Sequence, residues 1–172
     1  KCGIINAGYP QPYIPELSFF IFLKVILLAV LCGLVSILFC VILHQSGHIY
    51  KKLIANDYLR IFVGGCIVVA LTMLLGTRAY NGQGADIIHL ALTGDCPPFA
   101  FLLKILFTAL TLGAGFKGGE IVPALFVGAT FGNAVAPVLG LDPAFGAAIG
   151  MIALFCSVVN CPLASILLSV EL

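Results

Sequence analysis

Gly115-Phe116-Lys117-Gly118-Gly119-Glu120-Ile121-Val122-Pro123 is the stretch on which the reading of this chain turns. It separates two strongly apolar runs, Phe99 to Leu112 and Pro123 to Leu139. Gly115, Gly118 and Gly119 let the backbone bend where side chains would clash. A helix is expected to open next, with Glu120 in its first turn and Pro123 where a missing N–H costs nothing. Such a helix start offers free backbone N–H groups and the positive end of the dipole, an arrangement that suits an anion.

The surroundings of this turn are apolar. The chain is 62% hydrophobic and 9% charged, with mean hydropathy +1.20, whereas a soluble domain carries about 25% charged residues. Several runs approach the ~20 residues that cross a bilayer as a helix. The expected class is an all-α, multi-pass integral membrane protein. Irregular backbone at membrane depth is tolerated only inside protein or beside a cavity, and broken helices are the best sequence pointer to a transporter binding site. The formal net charge of +1 comes with no basic patch, so nucleic acid is not an expected partner. The seven cysteines form no CxxC pair. Cys32, Cys40, Cys66 and Cys156 lie in apolar runs and read as small buried hydrophobes, while Cys2 and Cys96 fall in loops, where pairing stays open.

Outward from the turn, residues 1–15 hold Pro10, Pro12 and Pro15 and read as an extended loop. A long helix follows from Glu16 to about Tyr50. At ~1.5 Å per residue it exceeds the ~30 Å hydrocarbon core, so it tilts or protrudes, and Lys24 snorkels or faces the interior. The segment His44 to Arg60 sets Lys51, Lys52 and Arg60 against Asp57, which places it in the cytoplasm. His44 and His48 share a helix face, as in a metal site, but nothing joins them, and they read as polar residues at a membrane edge. A second span covers Tyr58 to Leu75, and a glycine-spaced polar loop runs from Gly76 to Gly84. Ala85 to Leu92 is too short to span; its Asp86 and His89 read as a packing pair or a vestibule lining. Lys104 lies inside the third apolar helix, where a charge needs a partner or water.

Beyond the turn, Gly128, Ala129, Gly132 and Ala134 give the helix Glu120–Leu139 a small-residue face. Asp142 caps the next helix and Pro143 opens it; Asn160-Cys161-Pro162 then breaks the chain before a last helix, Leu163 to Leu172. Lys1 is neither a starting Met nor part of a signal peptide, and Glu171-Leu172 still lies in an apolar segment. The expectation is a piece of a longer membrane protein.

The order of these last elements resembles the CLC chloride channel and transporter family. The family's Gly-x-Phe-x-Pro signature falls on Gly119 to Pro123, with Ile121 in the phenylalanine position. Pro123 to Ala129 with Gly132, Gly146 to Met151, Asn160 to Leu163 and Val170 to Leu172 fit the helices that follow. The loop is most similar to the fluoride-transporting bacterial branch, which carries a carboxylate where Glu120 stands; it departs at Val122, where that branch has threonine. The segment Gly76 to Gly84 also looks like that branch.

The resemblance implies a CLC-like bundle of tilted, broken and re-entrant helices, partial and amounting to about one inverted repeat. Residues 1–172 would be the C-terminal part of the membrane domain. It implies anion transport by a chloride channel or a halide/proton antiporter, with fluoride/proton exchange as the specific form. The anion, chloride or fluoride, would be held at Gly118, Gly119, Glu120, Ile121 and Val122, with Glu120 and Lys117 on the proton or anion path. A homodimer in the bacterial inner membrane, with the last helix at its interface and no cofactor or metal, is implied as well. The gating glutamate, pore serine and pore tyrosine of the family belong to segments other than these, so these residues alone are not expected to transport. Glu120 has a plainer reading too, as a carboxylate stabilised by a helix dipole. The alternatives are a passive channel, a membrane assembly module whose glycines only pack helices, and an intramembrane enzyme, for which no nucleophile–base pair is visible.

Overall fold

The computed structural model describes residues 18–77, 79–94 and 96–171, the side chain of Glu171 excepted. Among the described residues seven α-helices follow one another: α1 Phe19–Leu53, α2 Asp57–Leu75, α3 Ala85–Thr93, α4 Ala100–Gly113, α5 Ile121–Val135, α6 Pro143–Val159 and α7 Pro162–Glu171. No strand occurs among the described residues. Several boundaries fall where caps dictate. Asn56 accepts from the Tyr58 N–H at 3.1 Å to open α2, and Asp142 accepts from the Phe145 N–H at 3.1 Å to open α6. Gly76, in the left-handed region, closes α2. The helix expected to run from Glu120 to Leu139 divides in two. Its α-helical part ends at Val135 and Ala136–Leu139 tightens to a 3-10 turn, because Pro137 has no N–H to continue the ladder.

Among the described residues, three segments are long and apolar enough to cross a bilayer: Phe19–Leu53, Asp57–Leu75 and Ile121–Leu139. Together with the all-helical core they fit the expected membrane fold. α5 packs most extensively against α6, and glycines make that possible. A Cβ on Gly128 would overlap the backbone of Gly150 and Met151, and one on Gly132 would overlap the Gly146 carbonyl. The two helix backbones therefore touch, which is how membrane helices gain dispersion contacts that lipid cannot supply.

Two apolar clusters flank this pair. One joins α3, α5 and α6 through Ile87, Ile88, Leu92, Phe126, Ala129 and Met151. The other joins α1, α4, α5 and α6 through Leu28, Phe39, Ile105, Val127 and Leu154. A buried amide ties α3 to α5 beside the first cluster, Asn133 donating from Nδ2 to the Ala91 carbonyl at 2.8 Å. Cys32 is buried in the second cluster, as the sequence implied, but Cys40 and Cys66 are exposed. Cys2 lies outside the described residues.

Candidate functional site

Where α4 ends, Gly113 lies so close to Ser46 of α1 that a Cβ would overlap it. The Ala114 N–H donates to the Leu110 carbonyl at 3.2 Å and the Gly115 N–H to that of Leu112 at 3.0 Å. Gly115 then takes φ +101°, a conformation that a side chain would resist, and the chain turns away. Phe116 to Gly119 are irregular, and α5 begins at Ile121. Glu120 therefore stands one residue ahead of the expected first turn, as the N-cap. Its carbonyl accepts from the Ala124 N–H at 3.0 Å, while its carboxylate caps no amide. Among the described residues, no acceptor is found for the backbone N–H groups from Lys117 to Val122. Orphan donors of this kind take water or a ligand.

A cavity of about 570 Å³ adjoins the turn, lined in part by Gly118, Gly119 and Val122. Lys104, Tyr80 and Gly82 line it too, so the glycine-spaced polar loop and the turn share one space. Lys104 is 2% exposed. Its Nζ donates to the Gly82 carbonyl at 2.6 Å and the Tyr80 carbonyl at 3.1 Å, and lies 4.9 Å from the centre of the Phe126 ring. No carboxylate pairs with it among the described residues. A buried ammonium without a counter-charge and a helix N-terminus thus border the same cavity, and both favour negative charge. Thr108 and Thr111 also line it, but each donates its hydroxyl back to its own helix at 2.7 Å, while Tyr80, Asn81 and Gln83 add further polar side chains to the lining.

Of the sequence-derived site residues, Gly118, Gly119 and Val122 meet at the cavity. Lys117, Glu120 and Ile121 are exposed on this chain and do not line it. Asp86 and His89 are exposed on α3 and do not line it either. His44 and His48 place their rings 5.2 Å apart on an α1 that continues unbroken through Gly47, and no metal-competent group of three side chains occurs among the described residues. Lys24 reaches the Gly140 carbonyl at 3.4 Å, over the end of the 3-10 turn. Two contacts were not legible beforehand: Lys104 with the 80–82 carbonyls, and Arg60 with the Ala114 carbonyl. Charge inside an apolar segment was the signal for the first, whereas Arg60 carried none beyond its charge.

Helices interrupted in mid-fold, with free amides facing a shared cavity, define a class of membrane proteins built around broken helices. The chain belongs to the voltage-gated chloride channel family, whose family model matches residues 3–172. It is 34% identical over 176 residues to a chloride/fluoride channel protein of Pseudomonas syringae pv. tomato, covering 99% of this chain and 39% of that one. It is 31% identical to the H(+)/Cl(-) exchange transporter ClcA of Vibrio cholerae, covering 95% of this chain and 37% of the relative. The crystal structure of a CLC-type fluoride/proton antiporter superposes with a TM-score of 0.88 at 31% identity, covering 95% of this chain and 42% of the other. The chain thus spans about two fifths of the length of these relatives. They are transporters or channels rather than enzymes.

Proposed function

We propose that these residues form the C-terminal part of a CLC-type membrane domain that moves a small halide, chloride or fluoride, across a bilayer. The anion binds the amides of Gly118 to Val122, and Glu120 exchanges a proton on the path, with Lys117 drawing anions toward it. The observation that carries this reading is the run of amides without acceptors beside a cavity lined by Lys104, which pairs with no carboxylate among the described residues. The names of the antiporter and exchanger relatives favour coupled transport over a passive pore. Relatives from bacteria favour the inner membrane as the location. The protein works as a homodimer, and the exposed apolar residues of α7, Leu163, Leu167 and Val170, suit the interface.

Liposomes carrying the full-length protein test the proposal. Halide efflux is followed with an ion-selective electrode, and proton uptake with a pH electrode. Glu120→Gln is expected to leave halide efflux running while reducing proton counter-transport. Unchanged fluxes of both ions would remove Glu120 from the mechanism. Absence of any halide flux in the unmodified protein would refute the transport reading itself.

A further inference from the structure

The turn that presents the amides is held at its upstream end by α2. Arg60, in the first turn of that helix, has a side chain only 11% exposed. Its Nε–H donates to the Ala114 carbonyl at 3.2 Å, and its Nη2 stands 3.0 Å from Oδ1 of Asp57. A guanidinium is a rigid planar fork, so bonds at two of its edges fix its orientation. Gly115 leaves room for it: a Cβ there would stand 3.3 Å from Nη2 and 3.6 Å from Nε. One helical turn further along α2, Gly64 lies against Ala114 so closely that a Cβ would overlap the Ala114 side chain. A Cβ on Gly65 would meet the Phe116 ring at 3.6 Å.

Downstream of Phe116 the turn has few neighbours. Residues 117–120 are exposed; a Cβ on Gly118 would meet Leu112 Cδ2 at 3.1 Å, and one on Gly119 would meet nothing within 4 Å. The direction in which the backbone leaves α4 is therefore set at Ala114, and the amides that follow inherit it. Hydrogen bonds weaken steeply with misalignment, so a small rotation at Ala114 changes how the amides meet an ion.

We infer that Arg60 is a positioning residue for the anion site, acting through the Ala114 carbonyl rather than through its charge. Asp57 offsets that charge at close range. The inference rests on the reading of the Gly118–Val122 amides as the halide site.

Two substitutions separate hydrogen bonding from charge. Arg60→Gln puts a neutral N–H donor the same number of bonds from Cα as Nε, whereas Arg60→Met fills that place with a methyl group. Purified full-length protein in detergent is titrated with sodium chloride and sodium fluoride by calorimetry, and turnover is read in liposomes. Arg60→Met is expected to weaken halide binding about tenfold while changing turnover at saturating halide by less than about twofold. Arg60→Gln is expected to bind within about twofold of the unmodified protein. Tight binding by Arg60→Met, or a tenfold loss in Arg60→Gln, overturns the inference. If Arg60→Met fails to give a monodisperse protein, Arg60→Gln decides alone by the same criterion. Failure of the unmodified protein to bind either halide overturns the amide-site reading and this inference together. Normal binding there with no effect at Arg60 overturns only the inference.

Discussion

Lys104 Nζ lies 2.6 Å from the carbonyl oxygen of Gly82, 22 residues away in the chain. This bond joins the middle of α4 to the polar loop between α2 and α3. Burying an ammonium is costly unless donors and acceptors are matched. Here two carbonyls and an aromatic face supply the match, with no carboxylate to cancel the charge among the described residues.

Lys104→Met is expected to leave the Tyr80 and Gly82 carbonyls without their donor, at a cost of about 1–3 kcal/mol. Hydrogen exchange at residues 79–84 should accelerate while α6 stays protected. Halide affinity should fall as well, because the cavity loses its buried charge. Unaltered exchange in the loop would show that Lys104 does not anchor it.

Helix contact between α5 and α6 depends on the absence of a methyl group. Gly132→Ala is expected to force the two backbones apart and destabilise the fold by about 1–3 kcal/mol. Gly33 on α1 is the control, since a Cβ there meets nothing within 4 Å. Gly33→Ala should be neutral or raise the unfolding temperature, by up to about 1 kcal/mol in stability. Thermal unfolding in detergent compares the two, and equal effects would refute the packing account.

Val122 lines the cavity, at the position where the fluoride-type loop that this turn resembles carries a threonine. Val122→Thr adds a donor beside the free amides, and one neutral hydrogen bond corresponds to about a two- to tenfold change. The ratio of fluoride to chloride flux should rise by a factor in that range. An unchanged ratio would mean that this side chain does not meet the ion.

Burial pushes the thiol of Cys96, in the loop before α4, up to about 11. The raised value favours the neutral thiol in the folded state, so its contribution to stability is present below about pH 9 and fades as pH rises through about 11. Only the thiolate is alkylated, so iodoacetamide labelling should climb about tenfold per pH unit from pH 7 to pH 10. Peptide mass spectrometry reads the site, and a plateau by pH 9 would contradict the burial.

The helices and their breaks were legible in the sequence because local chemistry writes them. Apolar runs of bilayer length, Asp142 with Pro143, and Asn160-Cys161-Pro162 each constrain neighbouring residues, and the observed boundaries differ from the expected ones by only a few residues. The turn at Gly115 was visible for the same reason: glycine spacing and a helix start are both short-range signals. Cys40 and Cys66 were misjudged because an apolar run tells nothing of which helix face meets protein.

By itself, then, the sequence determined an all-helical membrane chain interrupted at Gly115–Glu120, with free amides at the break. Tertiary structure alone decided what those amides face. Lys104 reaches across to the loop at Tyr80–Gly82, and Arg60 reaches across 54 residues to Ala114. Neither pairing follows from composition or periodicity. Each is a long side chain meeting a backbone carbonyl, which every residue carries, so the partner is fixed only when the helices have packed.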